Sequence, residues 1–146
     1  MRIVVWGTGI TGVTTARVMA GRGHEVRLVD ERLPQSMPGM PVSLLTEEDL
    51  AWADLVIPSP GVPRHHPLLG RAGKVLSEIE VASGLLSGRL VGITGTNGKT
   101  TTTTLIHRIL AAQGLNAGIG GNISPPLISL VDADPAYVVA EISSFQ

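Results

Sequence analysis

The sequence predicts an α/β fold built from two consecutive domains, and three features support this prediction. Short apolar segments rich in β-branched residues alternate with helical segments. Two of these apolar segments run directly into a glycine-rich turn that opens a helix. The alternation of strand and helix segments is interrupted near residue 88, between the two halves of the chain. The chain of 146 residues is long enough to bury an apolar core.

The first domain is expected to span residues 1–88. Arg2–Trp6 has the composition of a buried strand and stops at Gly7, and a helix is expected over residues 13–20 because glycines follow it. The other expected elements are strands at residues 25–29, 55–57 and 75–76, a proline-rich loop at residues 33–41, and a helix at residues 78–86 capped by Ser77 with Glu80 in the capping-box position.

The second domain is expected over residues 89–146. Its predicted elements are a strand at residues 90–94, a loop at residues 95–98, a helix at residues 99–113 closed by Gly114, and a strand at residues 137–142. Apart from Glu141 the last strand has a buried character, and the domain, which stops just after it, is expected to leave an unpaired, apolar sheet edge. On this interpretation the second domain is the truncated, amino-terminal part of a larger one.

The composition excludes several classes of function. A net charge of -1 offers no basic surface to a nucleic acid, and the absence of cysteine excludes a disulfide framework or a thiol nucleophile. The first residues lack the apolar core of a signal peptide, and no apolar run reaches membrane-spanning length. A cytoplasmic protein with neither nucleic acid nor membrane as a partner is therefore expected. His65 and His66 lack the spacing of a metal site and are predicted to be surface or packing residues.

The first glycine-rich turn matches the pattern G-x-G-x-x-G. Gly7, Gly9 and Gly12 follow a strand and open a helix, and Asp30 lies 21 residues beyond Gly9 at the end of the next strand. The glycines allow the backbone to approach a phosphorylated ligand, and the carboxylate can accept a hydrogen bond from a ribose hydroxyl. The first domain is therefore expected to be Rossmann-like. Taken alone the motif predicts NAD, and a tight turn without a ligand is the alternative.

The second glycine-rich turn is predicted to be a phosphate-binding loop, so the second domain is expected to be the start of a P-loop α/β domain. The expected ATP-binding residues are Gly95, Thr96, Asn97, Gly98, Lys99, Thr100 and Thr101. Backbone N–H groups of such a loop surround a phosphate, Lys99 neutralises its charge, and the hydroxyl of Thr100 can bind Mg²⁺. The loop departs from the pattern G-x-x-x-x-G-K-[ST] because position 93 is Ile93 rather than glycine. Thr103 and Thr104 are predicted to be helix surface or packing residues.

A third signal is the carboxylate of Glu141 near the end of an apolar strand. An unpaired charge in such a strand would be costly, and a magnesium ion shared with Thr100 would stabilise it. The carboxyl ends of parallel strands meet at one sheet edge, where ligands of α/β proteins bind. The alternative is an exposed acid paired with a surface lysine or arginine. The neighbouring phosphate loop favours the magnesium site.

Together these segments resemble the Mur ligase family of peptidoglycan synthesis. Residues 92–100 are similar to the ATP loop of that family, including the displaced first glycine. The segments most similar to its D-glutamate-adding members are residues 7–12, 59–61, 120–123 and 141–146, the last of which reads EISSFQ.

The resemblance implies an ATP-dependent amide ligase that joins D-glutamate to UDP-N-acetylmuramoyl-L-alanine through an acyl phosphate, with ATP and Mg²⁺ as cofactors. Lys99, Glu141 and Asn122 would carry the catalytic roles, and Thr100 with Glu141 would bind the metal. By the same resemblance the UDP-linked substrate would contact Gly9, Ile10, Thr11, Asp30, Arg32, Ser59, Gly61, Asn122, Ser143 and Gln146. A monomer is expected.

Two alternatives remain open from the sequence. Residues 7–12 could serve an NAD-dependent oxidoreductase in which the later loop binds phosphate incidentally. The chain could also be a non-catalytic, nucleotide-binding fragment, because in the family further segments follow the position of Gln146 and shape the amino-acid site. On that ground the chain alone is expected to be inactive.

Overall fold

The structure, a computed structural model, describes residues 1–34 and 39–143 and divides the chain into two compact units. The first unit ends at Glu78 and the second begins at Ile79, ten residues before the boundary expected at residues 88 and 89. The domain limits 1–88 and 89–146 therefore stay a prediction. The proline-rich loop expected at residues 33–41 lies partly outside the described residues. Each unit contains a parallel sheet, so the predicted α/β fold is confirmed.

A four-stranded parallel sheet forms the centre of the first unit. Its strands in chain order are β1 (Arg2–Trp6), β2 (Glu25–Asp30), β3 (Val42–Leu44) and β4 (Leu55–Pro58), and they lie side by side in the order β3, β2, β1, β4. The helices of this half of the chain are α1 (Ile10–Gly21), α2 (Glu47–Trp52) and, starting at the boundary between the units, α3 (Glu78–Leu85). Of the expected strand at residues 75–76, the structure forms one bridge, between Val56 and Val75.

Strand β1 is buried on both faces, as expected for an inner strand of a parallel sheet. Ile3, Val4 and Val5 are fully buried, and Trp6 is 2% exposed. One face belongs to an apolar cluster of Val4, Trp6, Val29, Leu50 and Val56. Because β1 is the strand that runs into the first glycine-rich turn, this burial fixes the position of the turn.

Helix α1 begins at Ile10, three residues before the predicted start at residue 13. The prediction was wrong at this end because residues 7–12 were all assigned to the glycine-rich turn. In the structure Gly9 is the N-cap and Gly12 lies buried within the first turn of the helix. The hydroxyl of Thr14 donates to the carbonyl of Ile10, which keeps this side chain bonded within the helix.

Helix α2 was not predicted, although its start carries a capping box. Asp49 donates its backbone N–H to the hydroxyl of Thr46 and accepts from the backbone N–H of Thr46 in return. The guanidinium of Arg27 also donates to Asp49 and lies 3.9 Å from the ring centre of Trp52. Burial acts to raise the pKa of Asp49, but the hydrogen bonds from Thr46 and Arg27 outweigh it and lower that pKa.

The second unit contains a three-stranded parallel sheet and one long helix. Its elements in chain order are β5 (Arg89–Ile93), α4 (Lys99–Ala112), β6 (Ala117–Gly121) and β7 (Tyr137–Glu141), and the strand order is β5, β7, β6. The expected unpaired edge does not lie at the last strand, because β7 is paired on both sides. In this unit the edges of the described sheet are β5 and β6. Val138, Val139 and Ala140 are fully buried, which explains why the most apolar strand takes the central place.

No helix in residues 1–34 and 39–143 combines the length and the apolar character that crossing a membrane requires.

Candidate functional site

The first glycine-rich turn depends on close backbone packing between the turn and helix α1. A Cβ added at Gly12 would lie 1.8 Å from the carbonyl oxygen of Gly7. Gly7 itself has φ +119°, and a Cβ there would lie 2.6 Å from the Cβ of Ser59. Glycine is therefore required at both positions for steric reasons. Gly9 is the N-cap of the helix, and because it has no side chain, the first N–H groups of the helix have no side-chain cap.

Asp30 holds this turn from the end of the neighbouring strand. Its Oδ2 accepts the backbone N–H and the hydroxyl of Thr8, each at 2.8 Å. Burial acts to raise the pKa of Asp30, but these bonds, together with those from the backbone N–H groups of Glu31 and Arg32, lower that pKa overall. The carboxylate is thus kept ionised and anchors the turn to β2.

A cleft of about 480 Å³ opens beside the turn, within the first unit. It is lined by Trp6, Gly7, Thr8, Gly9, Ile10, Thr11, Asp30, Glu31, Ser59, Pro60, Gly61, Val62 and Pro63. The structure therefore brings together six of the residues expected around the UDP-linked substrate, namely Gly9, Ile10, Thr11, Asp30, Ser59 and Gly61. Arg32 is exposed and is not part of the lining formed by the described residues.

One wall of the cleft includes a contact that the sequence analysis missed. The Nε2 atom of His66 lies 2.7 Å from Oε1 of Glu31, and its ring packs edge-on against Trp6 with the ring centres 4.7 Å apart. The Nδ1 atom accepts the backbone N–H of Leu68 at 3.3 Å. His66 is therefore a packing residue, as predicted, and it also orients the carboxylate of Glu31.

The second glycine-rich turn has the backbone geometry of an open loop at a helix start. Gly98 is the N-cap of α4 in the left-handed region, with φ +74°, and it provides no side-chain cap. Gly95 has φ +147°, and its carbonyl accepts a hydrogen bond of 2.7 Å from Nζ of Lys99. The loop from Gly95 to Gly98 is exposed. The ammonium group of Lys99, the first residue of α4, is held beside the start of this helix by the carbonyl of Gly95.

Glu141 lies at the carboxyl end of β7, 4% exposed, and is bonded from both neighbouring elements. The hydroxyl of Thr100 on α4 donates to its Oε2 at 2.6 Å, and the side-chain amide of Asn122, just after β6, lies 3.3 Å from its Oε1. Asn122 also donates its backbone N–H to the carbonyl of Glu141 at 2.8 Å. The alternative of an exposed acid paired with a surface cation is therefore wrong.

Backbone contact next to Glu141 explains how the three side chains meet. Gly121 has φ +106°, and a Cβ there would lie 2.4 Å from the carbonyl oxygen of Glu141. A larger residue would separate the end of β6 from β7 and would move Asn122 away from the carboxylate. Sequence analysis identified residues 120–123 through the family resemblance, and the positive φ of Gly121 is the physical reason for a glycine at this position.

Comparison with known proteins assigns both units to one family. Residues 1–82 match the family profile "Mur ligase MurD-like, N-terminal domain", and residues 93–146 match the profile "Mur ligase middle domain". The chain belongs to the Mur ligase family. The resemblance found in the sequence is confirmed.

Curated relatives of this Mur ligase chain carry the name UDP-N-acetylmuramoylalanine–D-glutamate ligase. The relative from Trichlorobacter lovleyi is 43% identical over 162 aligned positions, which cover 99% of the chain and 36% of the relative. The relative from Geobacter metallireducens is 44% identical with the same coverage. The chain therefore spans about a third of the length of these relatives.

Among solved structures, a pseudomurein peptide ligase type C from Methanothermus fervidus is similar to the chain. The two share 26% identity and a TM-score of 0.53, over 98% of the chain and 33% of that structure. The similarity extends the family assignment to the three-dimensional fold.

The residues of this Mur ligase chain fit a magnesium ion held together with a nucleotide. No group of three or more His, Cys, Asp or Glu side chains in the described residues could hold a metal alone. Mg²⁺ usually takes one or two carboxylates and completes its shell with phosphate oxygens and water. The pair Thr100 and Glu141, one hydroxyl and one carboxylate beside a phosphate-type loop, has this composition.

The remaining predicted positions are less informative. Ser143 is half-buried after β7, and Gln146 lies outside the described residues. Thr101 is exposed on the first turn of α4. Thr103 is fully buried, in agreement with a packing role, and its hydroxyl has no hydrogen-bond partner among the described residues.

Proposed function

We propose that this chain is the nucleotide-binding part of an ATP-dependent amide ligase that joins D-glutamate to UDP-N-acetylmuramoyl-L-alanine. The observation that carries the proposal is the contact between Thr100 and Glu141, beside a loop that holds Lys99. A buried carboxylate bonded to the first hydroxyl after a Gly-Lys pair suits Mg·ATP. The family match and the names of the curated relatives support the choice of substrates.

In this proposal residues 1–88 bind the UDP-linked substrate. The cleft beside Gly9 offers uncapped helix N–H groups to a diphosphate, and its volume of about 480 Å³ lies within the usual range for small-ligand sites. Ile10, Thr11 and Gly61 line the same cleft. Arg32, exposed two residues after Asp30, would be a further contact to the nucleotide.

Residues 89–146 would bind ATP. The loop from Gly95 to Gly98 would surround the phosphates with backbone N–H groups, followed by the hydroxyls of Thr100 and Thr101. Lys99 would move from the carbonyl of Gly95 to a phosphate oxygen, a stronger, charge-assisted partner. When bound by Thr100 and Glu141, Mg²⁺ would neutralise charge on the phosphates.

The reaction has two steps that need no protein nucleophile. A carboxylate oxygen of the substrate attacks the γ-phosphorus of ATP, and ADP leaves, which forms an acyl phosphate. The amine of D-glutamate then attacks the carbonyl carbon, phosphate leaves, and the nitrogen loses a proton to form the amide. Lys99 would neutralise the charge that builds up on the transferred group, and Asn122 and Ser143 would contact the acceptor substrate. Because these substrates are soluble in water, the reaction would take place in the cytoplasm. The protein would act as a monomer.

Calorimetry on the whole chain tests the proposal with three titrations. UDP-N-acetylmuramoyl-L-alanine and Mg·ATP should each bind at one site, and each should bind in the presence of the other. NADH is the discriminating ligand, because the glycine pattern alone also predicts a dinucleotide. Tighter binding of NADH than of the UDP-linked substrate would refute the proposal and favour an oxidoreductase. Failure of Mg·ATP to bind would remove the ligase assignment while leaving a nucleotide-binding first unit.

A further inference from the structure

We propose that Glu31, oriented by His66, is a specificity-determining residue of the cleft, where it accepts a hydrogen bond from an O–H or N–H donor of the bound nucleoside. This inference rests on the proposed function, since it takes the occupant of the cleft to be a nucleoside diphosphate. It gives Glu31 the role that the glycine pattern assigns to Asp30.

Asp30 has little hydrogen-bonding capacity left for a ligand. Its carboxylate accepts from the backbone and hydroxyl of Thr8 at 2.8 Å each, and from the backbone N–H groups of Glu31 and Arg32. An ionised carboxylate offers about four acceptor positions, so these bonds use most of them. A ligand hydroxyl would have to replace bonds that hold the glycine-rich turn in place. The main role of Asp30 is therefore to hold the glycine-rich turn in place, and not to bind the ligand.

Glu31 also lines the cleft, and the partner that holds it among the described residues is His66, from another loop. Its Oε1 lies 2.7 Å from Nε2 of His66, and the Glu31 side chain is 54% exposed. A single contact leaves acceptor positions for a ligand. Because the carboxylate is so exposed, it needs a partner to keep one orientation, and His66 provides that partner.

The surroundings of His66 determine which of its nitrogens donates. Nδ1 accepts the backbone N–H of Leu68, so the proton of the neutral ring lies on Nε2 and is donated to Glu31. The ring is packed against the buried side chain of Trp6, which restricts its rotation. The orientation of Glu31 is therefore set by a side chain that is itself held by two other contacts, to Leu68 and to Trp6.

The chemistry of the wall follows from two neighbouring carboxylates. Both accept hydrogen bonds and neither donates when ionised, so the wall favours ligand groups that carry a proton. It also repels a phosphate at that side of the nucleoside. A ribose hydroxyl and the N3–H of a uracil base both supply the required donor. The selected class is thus a nucleoside diphosphate with an unphosphorylated ribose.

Three ligands and one substitution test the role of Glu31. UDP, 2′-deoxy-UDP and the diphosphate of 3-methyluridine are titrated against the whole chain, since the second lacks a ribose hydroxyl and the third lacks the base N–H. The unmodified chain should bind one of the two analogues roughly tenfold more weakly than UDP, as expected for a lost hydrogen bond to a charged group. In the variant Glu31→Ala the ratio of the two dissociation constants, that of the weaker analogue to that of UDP, should fall close to one.

The control is Glu48→Ala, which removes an exposed acid on α2 of the same unit and should leave the ratios unchanged. The role of His66 is tested with His66→Phe, which keeps an aromatic ring for Trp6 but removes both nitrogen contacts. This variant should also reduce the ratio, and the double variant with Glu31→Ala should reduce it no further, since both changes act on one contact. A purely structural role of His66 would change stability and leave the ratio as it was.

The outcomes separate this inference from the proposed function. If UDP does not bind the unmodified chain, the proposed function fails and the inference fails with it. If UDP binds and the Glu31→Ala variant discriminates between the three ligands as the unmodified chain does, only the inference is overturned. The same holds if neither analogue binds more weakly than UDP.

Discussion

The hydroxyl of Thr100 donates to Oε2 of Glu141 at 2.6 Å, although 41 positions of sequence separate the two residues. The carboxylate is 4% exposed and has a hydroxyl and an amide as its neighbours, which are weak partners for a buried charge. A cation at this place would be a stronger partner. The two residues therefore support a test of metal binding that does not depend on catalysis.

Substitution of Glu141 should separate ATP binding from its magnesium dependence. Glu141→Gln keeps the size of the side chain and removes its charge. Mg·ATP should therefore bind at least tenfold more weakly, because substitution of residues that only hydrogen-bond to metal ligands commonly reduces metal affinity by that factor. ATP without magnesium should bind the variant about as well as the unmodified chain. Calorimetry with and without Mg²⁺ measures both affinities, with Glu48→Gln as the control. Equal Mg·ATP affinities would show that the carboxylate does not hold the ion.

Lys99 should contribute to phosphate binding through its charge. Lys99→Ala removes the ammonium that now lies on the carbonyl of Gly95, and Mg·ATP affinity should fall roughly 100-fold, as for the loss of one partner in a desolvated charge pair. The matched control is Arg108→Ala, which removes an exposed cation from the same helix. Titration of labelled ATP monitors both variants. Unchanged affinity in Lys99→Ala would contradict the phosphate-loop interpretation.

Gly12 should be intolerant of even one added methyl group. A Cβ at this position would lie 1.8 Å from the carbonyl oxygen of Gly7, so Gly12→Ala should lower the free energy of unfolding of the first unit by about 3 kcal/mol or more. At Gly21, in the last turn of the same helix, no heavy atom lies within 4 Å of an added Cβ. Gly21→Ala is therefore the control and should be neutral or slightly stabilising. Urea unfolding followed by the fluorescence of Trp6 and Trp52 compares the two, and similar midpoints would contradict the steric argument.

The acid stability of the first unit should depend on Asp30. Its pKa is lowered in the folded state, so its contribution is present at pH values above the unfolded value of about 3.9 and is lost as the pH falls through the lower, folded value. Asp30→Asn should cost about 1 kcal/mol at neutral pH, after allowance for solvent screening, and close to nothing once the pH has fallen below the folded-state pKa. Unfolding followed by tryptophan fluorescence between about pH 7 and about pH 2 measures the difference. A difference independent of pH would mean that the charge of Asp30 does not hold the turn.

Removal of the hydroxyl from Thr103 should stabilise the second unit. Thr103 is fully buried and its hydroxyl has no hydrogen-bond partner within residues 1–34 and 39–143, which carries a desolvation cost. Thr103→Val removes that group at nearly constant shape, and the protection of amide hydrogens in β7 against exchange should rise by about 1 kcal/mol. Thr104→Val, at a partly exposed position of the same helix, is the control. Reduced protection in Thr103→Val would indicate that the hydroxyl has a partner after all.

The sequence predicted the elements whose composition is distinctive. Strand β1 and helix α4 were predicted nearly to the residue, because β-branched runs and glycine boundaries mark them. Strands β3 and β6 and helix α2 were missed for physical reasons. Strand β3 has three residues, α2 has six, and β6 reads AGIGG, a composition that predicts a turn rather than a strand.

The candidate site was predicted in its residues more than in its contacts. The sequence pattern identified Lys99 and Thr100 and predicted a site shared by Thr100 and Glu141, but it did not show that the Asn122 amide contacts the second carboxylate oxygen of Glu141. That arrangement depends on the order of the strands, which local patterns do not encode. The contact of His66 with Glu31 was missed for the same reason, since 35 positions separate them and neither belongs to a recognised motif.

The strand order of the second unit also has a consequence for how this unit folds. Every strand pairing in its described sheet involves β7, because β5 and β6 lie on either side of it and do not pair with each other. During synthesis β5 and β6 emerge first and have no strand partner until Tyr137–Glu141 has left the ribosome. Sheet formation then closes two long chain loops in one late, entropically costly event. Because Glu141 is the last residue of β7, the contact between Thr100 and Glu141 is completed in that same event.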